Sequence, residues 1–144
     1  MILEEPVVNL LVALRKHYLI GVISNGPSRA QWEKITNIHG ADFFDSILVS
    51  GDLTCEKPEP EIFHIACQQL NVLPEKSCMI GDRLETDVLG GKMAGLAATF
   101  WIPLNKSSEE PLVNQPDAPD FTLTNIMDLA TIFGVNLATT QEIR

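Results

Sequence analysis

The segment Gly81-Asp82-Arg83-Leu84-Glu85-Thr86-Asp87 places three carboxylates on a turn directly after the apolar run Ser77-Cys78-Met79-Ile80. A turn that follows a buried strand and leads into a helix is where open α/β sheets build their ligand sites. Carboxylate oxygens crowded at such a turn repel one another unless a hard cation such as Mg²⁺ lies among them. The segment therefore predicts a cation site with Asp82 as its first ligand.

Two upstream segments have the residue types that a phosphate site needs. The apolar residues Leu19–Ile23 run into Ser24-Asn25-Gly26, and Glu56-Lys57-Pro58 precedes a predicted helix over Pro60–Leu70. A hydroxyl and backbone N–H groups bind phosphate oxygens, and a lysine ammonium neutralises their charge. Together with carboxylates that hold a metal, these groups indicate phosphoryl chemistry.

At these positions the chain resembles the haloacid dehalogenase-like (HAD) hydrolases. Ser24-Asn25, Lys57-Pro58 and Gly81-Asp82 with Asp87 are similar to motifs II, III and IV of that family. The resemblance runs from about Pro6 to the last predicted strand near Thr124. Within the family, the residues around Ser24 and from Gly81 to Leu96 are most similar to the N-acylneuraminate-9-phosphatase-like subfamily.

The resemblance implies a Mg²⁺-dependent phosphatase core that acts on a small phosphorylated metabolite. A sugar acid phosphate such as N-acylneuraminate 9-phosphate is one candidate substrate. Lys57, Asp82 and Asp87 would be catalytic, and Asp82 and Asp87 would hold the metal, with Asp87 alternatively bracing the lysine. Ser24, Asn25 and Lys57 would bind the phosphate.

The family's first motif, an Asp-x-Asp pair that carries the nucleophile, occurs nowhere in the 144 residues. By resemblance, the nucleophile strand and the substrate-selecting cap are both expected to lie upstream of Met1 and to be absent. That strand normally lies between the strands of motifs II and IV, so its loss would leave unpaired backbone groups at a gap in the sheet. We therefore expect the isolated chain to be destabilised, to self-associate through the gap or to rearrange its sheet.

The periodicity predicts an α/β fold with helices between the strands of a mostly parallel sheet. By resemblance it is a three-layer Rossmann-like HAD core, incomplete without the central strand and cap. We predict a partial core over 1–134 and a tail over 135–144, with 106–120 as a surface loop. The predicted helices are Pro6–Lys16, Ser28–Ile38 with its stop at Gly40, Pro60–Leu70, Glu85–Ala94 and Asn125–Phe133. The predicted strands are Leu19–Ser24, Ser46–Ser50, Ser77–Gly81, Ala97–Ile102 and Phe121–Thr124.

Composition excludes several classes of partner. The net charge of −9 argues against binding to nucleic acid or an anionic membrane, because both require basic patches. No run of 18 apolar residues predicts a membrane span, and the first residues lack the pattern of a signal peptide. Three cysteines without metal-ligand spacing favour reduced thiols and a cytoplasmic location. Arg83 and Glu85 are interpreted as surface charges, and Trp32 and Trp101 as packing residues.

Three functions remain open from the residues and the resemblance. The first is the phosphatase core described above. The second is a catalytically dead HAD remnant that binds anions or a partner, or regulates a full-length paralogue. The third is a dehalogenase, which the acidic motif IV disfavours because that reaction needs no metal.

We predict that the 144-residue chain by itself hydrolyses phosphomonoesters negligibly. A carboxylate nucleophile divides phosphoryl transfer into two easier steps, and its loss removes most of the rate enhancement of a cooperating catalytic unit. A turnover assay of the purified chain with Mg²⁺ measures this directly. Rates within about tenfold of typical phosphatases would contradict the prediction.

Overall fold

A computed structural model describes residues 3–104 and 115–137 of the chain. Of these residues, 3–52 and 125–137 form one compact unit, and 53–104 with 115–124 form a second. In chain order the elements are α1 (Glu5–Arg15), β1 (Gly21–Ser24), α2 (Ser28–Asn37), β2 (Ser46–Val49), α3 (Pro60–Leu70), β3 (Cys78–Gly81), a π-helical turn (Leu84–Val88), α4 (Leu89–Met93), β4 (Ala98–Trp101), β5 (Phe121–Thr122) and α5 (Asp128–Ile132).

The first unit contains a parallel pair of strands joined through α2. β1 and β2 pair in register from Gly21 with Ser46 to Ser24 with Val49. Pro6 lies in the first turn of α1, where its missing N–H costs no hydrogen bond. The apolar residues buried in this unit lie on one face of each helix and on β2: Leu10, Ala13, Leu14, Ile35, Leu48, Val49, Leu129 and Ala130.

The second unit contains a three-stranded parallel sheet in the order β3-β4-β5. The connection from β3 to β4 runs through the π-helical turn and α4. Helix α3 begins with Pro60 in its first turn and ends at Asn71, which adopts the left-handed conformation. Apolar side chains buried in this unit come from α3, the π-helical turn, β4 and the segments before α3 and after α4: Cys55, Ile62, Phe63, Ala66, Cys67, Val88, Ala94, Phe100 and Trp101.

The predicted α/β class, with parallel strands linked by helices, is confirmed. In the described part of the chain, β1 pairs only with β2, and β3 pairs within its sheet only with β4. The two strands that carry motifs II and IV therefore each lie at the edge of a sheet. Incomplete sheets of this kind are consistent with a partial core. The division of the chain into a core over 1–134 and a tail over 135–144 stays a prediction.

Several predicted boundaries were wrong. β1 begins at Gly21 rather than Leu19, and the left-handed residue after α2 is His39 rather than Gly40. The predicted helix Glu85–Ala94 is instead a π-helical turn followed by the short α4, because backbone bonds from Asp87 and Val88 both reach Arg83. The last strand and the closing helix are shorter than predicted, and residues 106–114 of the predicted loop lie outside the described residues.

Within the described residues, no helix is both long enough and apolar enough to cross a membrane. All three cysteines are free thiols, with Cys55 and Cys67 buried and Cys78 exposed.

Asp45 fixes the entry to β1 by accepting two hydrogen bonds. Its carboxylate oxygens lie 2.8 Å from the backbone nitrogen of Ile20 and 2.8 Å from Nη2 of Arg15. The backbone bond from Ile20 lowers the pKa of Asp45 below its ordinary 3.8; burial opposes this, and Arg15 adds to the lowering. The carboxylate therefore stabilises the folded state only while it is ionised.

We expect Asp45→Asn to lower the free energy of unfolding by about 1 kcal/mol at neutral pH, which is the usual size of such a hydrogen bond. Because the pKa is lowered in the folded state, this contribution is fully present above the ordinary pKa and is lost as the pH falls through the folded value. Urea unfolding at a series of pH values should therefore show the two proteins converging below about pH 4. Glu33→Gln, at an exposed helix pair with Arg29, is the control, and a difference that widened in acid would contradict the prediction.

Candidate active site

Asp87 is the centre of the predicted motif IV. Its side chain is only 5% exposed. One carboxylate oxygen lies 2.6 Å from Nζ of Lys57, and the other accepts hydrogen bonds from the backbone N–H groups of Asp82 (3.1 Å) and Arg83 (3.2 Å). The structure thus brings together three of the predicted site residues, Lys57, Asp82 and Asp87, within the second unit.

The π-helical turn brings Asp87 back over the end of β3. In this turn Val88 donates its N–H to the carbonyl of Arg83, five residues earlier, so the loop is one residue wider than an α-helix. Gly81 makes the approach possible, because a Cβ atom there would overlap the Asp87 carboxylate. A glycine before the first motif IV aspartate is therefore a steric requirement of this loop.

Asp82 follows the last residue of β3 and precedes the π-helical turn that begins at Leu84. Burial raises the pKa of its carboxyl; its own backbone N–H opposes this, the negative charge of Asp87 adds to the increase, and Lys57 lowers the value again. A carboxylate that is partly desolvated and close to a second acid gains stability from a nearby cation.

Trp101 also contacts this loop and was interpreted from the sequence only as a packing residue. Its indole Nε1 donates a hydrogen bond of 2.9 Å to the backbone carbonyl of Asp82. Trp101 ends β4, whose register pairs it with Gly81, so it lies beside the turn although it is far along the chain. Sequence reasoning had no signal for this contact, since it depends on strand register.

Ser24, Asn25 and Gly26 lie in the first unit, at the carboxyl end of β1. The hydroxyl of Ser24 donates to Oε1 of Gln31 (2.7 Å), and Gly26 N–H donates to Oγ of Ser50 (2.9 Å). Gly26 has φ 145°, a conformation that favours glycine, and a Cβ there would meet the Gln31 side chain. Gln31 was not identified from the sequence, and its position seven residues after Ser24 is a signal only once α2 is placed.

The remaining polar groups around motif IV have simpler roles. Arg83 and Glu85 form an exposed ion pair with 3.0 Å between Nη2 and Oε1, as expected for surface charges. Cys55 is buried, and burial raises the pKa of its thiol, with the charges of Glu61 and Glu59 adding to the effect. Its thiolate is therefore disfavoured, which argues against a reactive cysteine beside Lys57.

Across residues 3–104 and 115–137, no group of three or more His, Cys, Asp or Glu side chains is placed to hold a metal ion. Mg²⁺ does not need such a group, because it keeps several waters and is usually bound through one or two carboxylates and substrate phosphate. The partly desolvated Asp82 carboxylate fits that requirement. Asp87 already contacts Lys57 and two backbone N–H groups, so its arrangement corresponds to the bracing role named above.

Comparison with known proteins gives a consistent family match. The family model for haloacid dehalogenase-like hydrolases matches residues 3–95. N-acylneuraminate-9-phosphatase of Rattus norvegicus is 41% identical over 132 residues, which cover 92% of this chain and 52% of that protein. Glyceraldehyde 3-phosphate phosphatase of Pyrococcus furiosus is 36% identical over 123 residues, covering 85% of this chain and 50% of that protein.

A solved structure extends the comparison to the fold. The HAD-hydrolase YfnB of Bacillus subtilis, bound to magnesium, superimposes with a TM-score of 0.73 at 26% identity, covering 90% of this chain and 55% of that one. The chain spans about half of the length of the curated relatives it matches.

We expect the Lys57–Asp87 pair to show strong energetic coupling. Removing one partner leaves the other charge buried, so Lys57→Met and Asp87→Asn should each cost about 3 kcal/mol. The double variant should cost less than the sum of the two by at least about 1 kcal/mol. Equilibrium unfolding of the four proteins in a double-mutant cycle gives the coupling.

The exposed Arg83–Glu85 pair is the matched control for this cycle. Its side chains are 66% and 62% exposed, so Arg83→Met and Glu85→Gln should couple by less than about 1 kcal/mol. Additive costs for Lys57 and Asp87 would show that their contact contributes nothing to folding.

Proposed function

The chain belongs to the haloacid dehalogenase-like hydrolase family, and on that premise we propose that it forms part of a Mg²⁺-dependent phosphatase for a small phosphorylated metabolite. The observation that carries the proposal is the buried ion pair between Lys57 and Asp87, because the Asp87 carboxylate also accepts the backbone N–H of Asp82. Two similar proteins named as phosphatases act on different small phosphate esters, which supports the reaction class. A sugar acid phosphate is the candidate that follows from the more similar of the two.

The proposed residues of each unit have separate tasks. In the second unit, Lys57, held by Asp87, would place a positive charge against a phosphoryl oxygen. In the first unit, Ser24 and Asn25 would bind phosphate oxygens through a hydroxyl and backbone N–H. Asp82 would ligate Mg²⁺, and Asp87 would brace Lys57 beside it. Mg²⁺, when bound, supplies positive charge that stabilises the transferring phosphoryl group.

Lys57 is well suited to this task because its ammonium is already positioned. Its side chain is 11% exposed, and the contact with Asp87 keeps Nζ in place before a substrate arrives. Preorganised charge of this kind is used directly in the transition state without reorganisation at the moment of reaction.

A non-catalytic role is the second candidate, favoured by the lack of an Asp-x-Asp pair in the 144 residues. Such a protein would bind Mg²⁺ or phosphate through the same residues without turnover. Translating the genomic sequence upstream of the Met1 codon separates the two: a strand ending in Asp-x-Asp-x-Thr favours the phosphatase, and its absence favours the binding protein. We propose a cytoplasmic location for either form.

In a chain that carries the Asp-x-Asp strand as well as residues 1–144, Asp82→Asn should lower Mg²⁺-dependent turnover by about a thousandfold or more. The amide keeps the size of the side chain but removes the charge that ligates the metal. The measurement is kcat/KM against a panel of phosphomonoesters over a range of MgCl2 concentrations.

Glu85→Gln is the control, because it removes a carboxylate from the same loop at an exposed position and should leave turnover nearly unchanged. Retained activity in Asp82→Asn with the same Mg²⁺ dependence would remove Asp82 from the site.

A further inference from the structure

The backbone of Asp82 is held by side chains on both sides. Regular pairing at this end of the sheet stops at Gly81, whose carbonyl accepts the N–H of Ile102 at 2.9 Å. One residue later, the Asp82 N–H donates to Oδ2 of Asp87 and its carbonyl accepts from Nε1 of Trp101. The two peptide units that flank the Asp82 side chain are thus oriented by Asp87 and by Trp101.

Trp101 is itself rigidly placed. It is the last residue of β4 and only 8% exposed. The N–H of Leu123 donates to its carbonyl at 2.8 Å, which ties its backbone to the segment that follows β5. An indole in such a setting has little rotamer freedom, so its N–H is a fixed donor.

We propose that Trp101 is a positioning residue for Asp82. Its indole N–H orients the loop that presents the Asp82 carboxylate to a bound cation. The identity of the cation as Mg²⁺ rests on the proposed function, whereas the hydrogen bonds of the loop do not depend on that function. The hydrogen bond turns the Asp82 carbonyl toward β4 and thereby restricts the directions open to the side chain. Asp87 alone could not do this, since it holds only the N–H groups.

The deletion of the indole donor should have two separate effects. The first is faster hydrogen exchange at the Asp82 and Arg83 amides in metal-free protein, by about fivefold, as expected for one lost hydrogen bond. The second is Mg²⁺ affinity weaker by about threefold to tenfold, because a less ordered ligand loses more freedom on binding.

The experiment compares three forms of the protein in amide-exchange NMR and in titration with MgCl2. Trp101→Phe removes the donor together with part of the ring. Replacement of Trp101 by β-(3-benzothienyl)alanine keeps the ring shape and removes only the N–H, so it serves if the phenylalanine variant does not fold.

Thr99→Val is the matched control. Thr99 is a buried residue of the same strand, and its hydroxyl donates a hydrogen bond of 3.0 Å to Oδ2 of Asp120 rather than to the Asp82 carbonyl. It should lower the melting temperature but leave amide exchange at Asp82 and Mg²⁺ affinity close to wild type.

Faster exchange with weaker Mg²⁺ binding in the donor-free variants supports the proposal. If the donor-free variants show the same amide exchange at Asp82 and the same Mg²⁺ affinity as Thr99→Val, the proposal is wrong. If wild type takes up no Mg²⁺ while the donor-free variants still exchange faster, Trp101 positions Asp82 and the metal-dependent function fails instead.

Discussion

The buried carboxylate of Asp87 is the group on which the candidate site depends. A charge this far from water is tolerated only when its oxygens are paired and hydrogen-bonded. Here one oxygen faces Lys57, from the segment before α3, and the other faces the backbone at the end of β3. A single side chain thereby joins two loops that are 30 residues apart in sequence, and it orders both of the groups proposed to act on phosphate and metal.

Close packing around this carboxylate explains the small residues nearby. Gly81 leaves the space that the Asp87 carboxylate fills, and a Cβ at Gly90 would overlap the ring of Phe63 and approach Pro58. α4 therefore lies close against the segment that follows Lys57. Protein interiors are close-packed, so a Cβ at either glycine would push the neighbouring segments apart. The two glycines therefore leave the space in which Lys57 and Asp87 make contact.

Most elements of the fold were predictable from the sequence, and the failures have identifiable causes. Helix α3 agrees with the predicted bounds because a proline start, an apolar stripe and a following asparagine all favour the same segment. The predicted helix over Glu85–Ala94 was wrong because a π-helical turn has nearly the same apolar pattern as an α-helix. Asp87 lies in this turn, and its ion-pair partner Lys57 is 30 residues away in the sequence, so the local pattern does not show the contact.

The sequence by itself determined the family resemblance, the alternation of strands and helices, and the residue types able to bind phosphate and cation. These features are local, since they depend on side-chain chemistry and on spacing within a few turns. The tertiary structure decided which distant groups meet: Lys57 with Asp87, and Trp101 with the carbonyl of Asp82. Strand register and burial create such contacts between distant segments, so no local pattern in the chain encodes them.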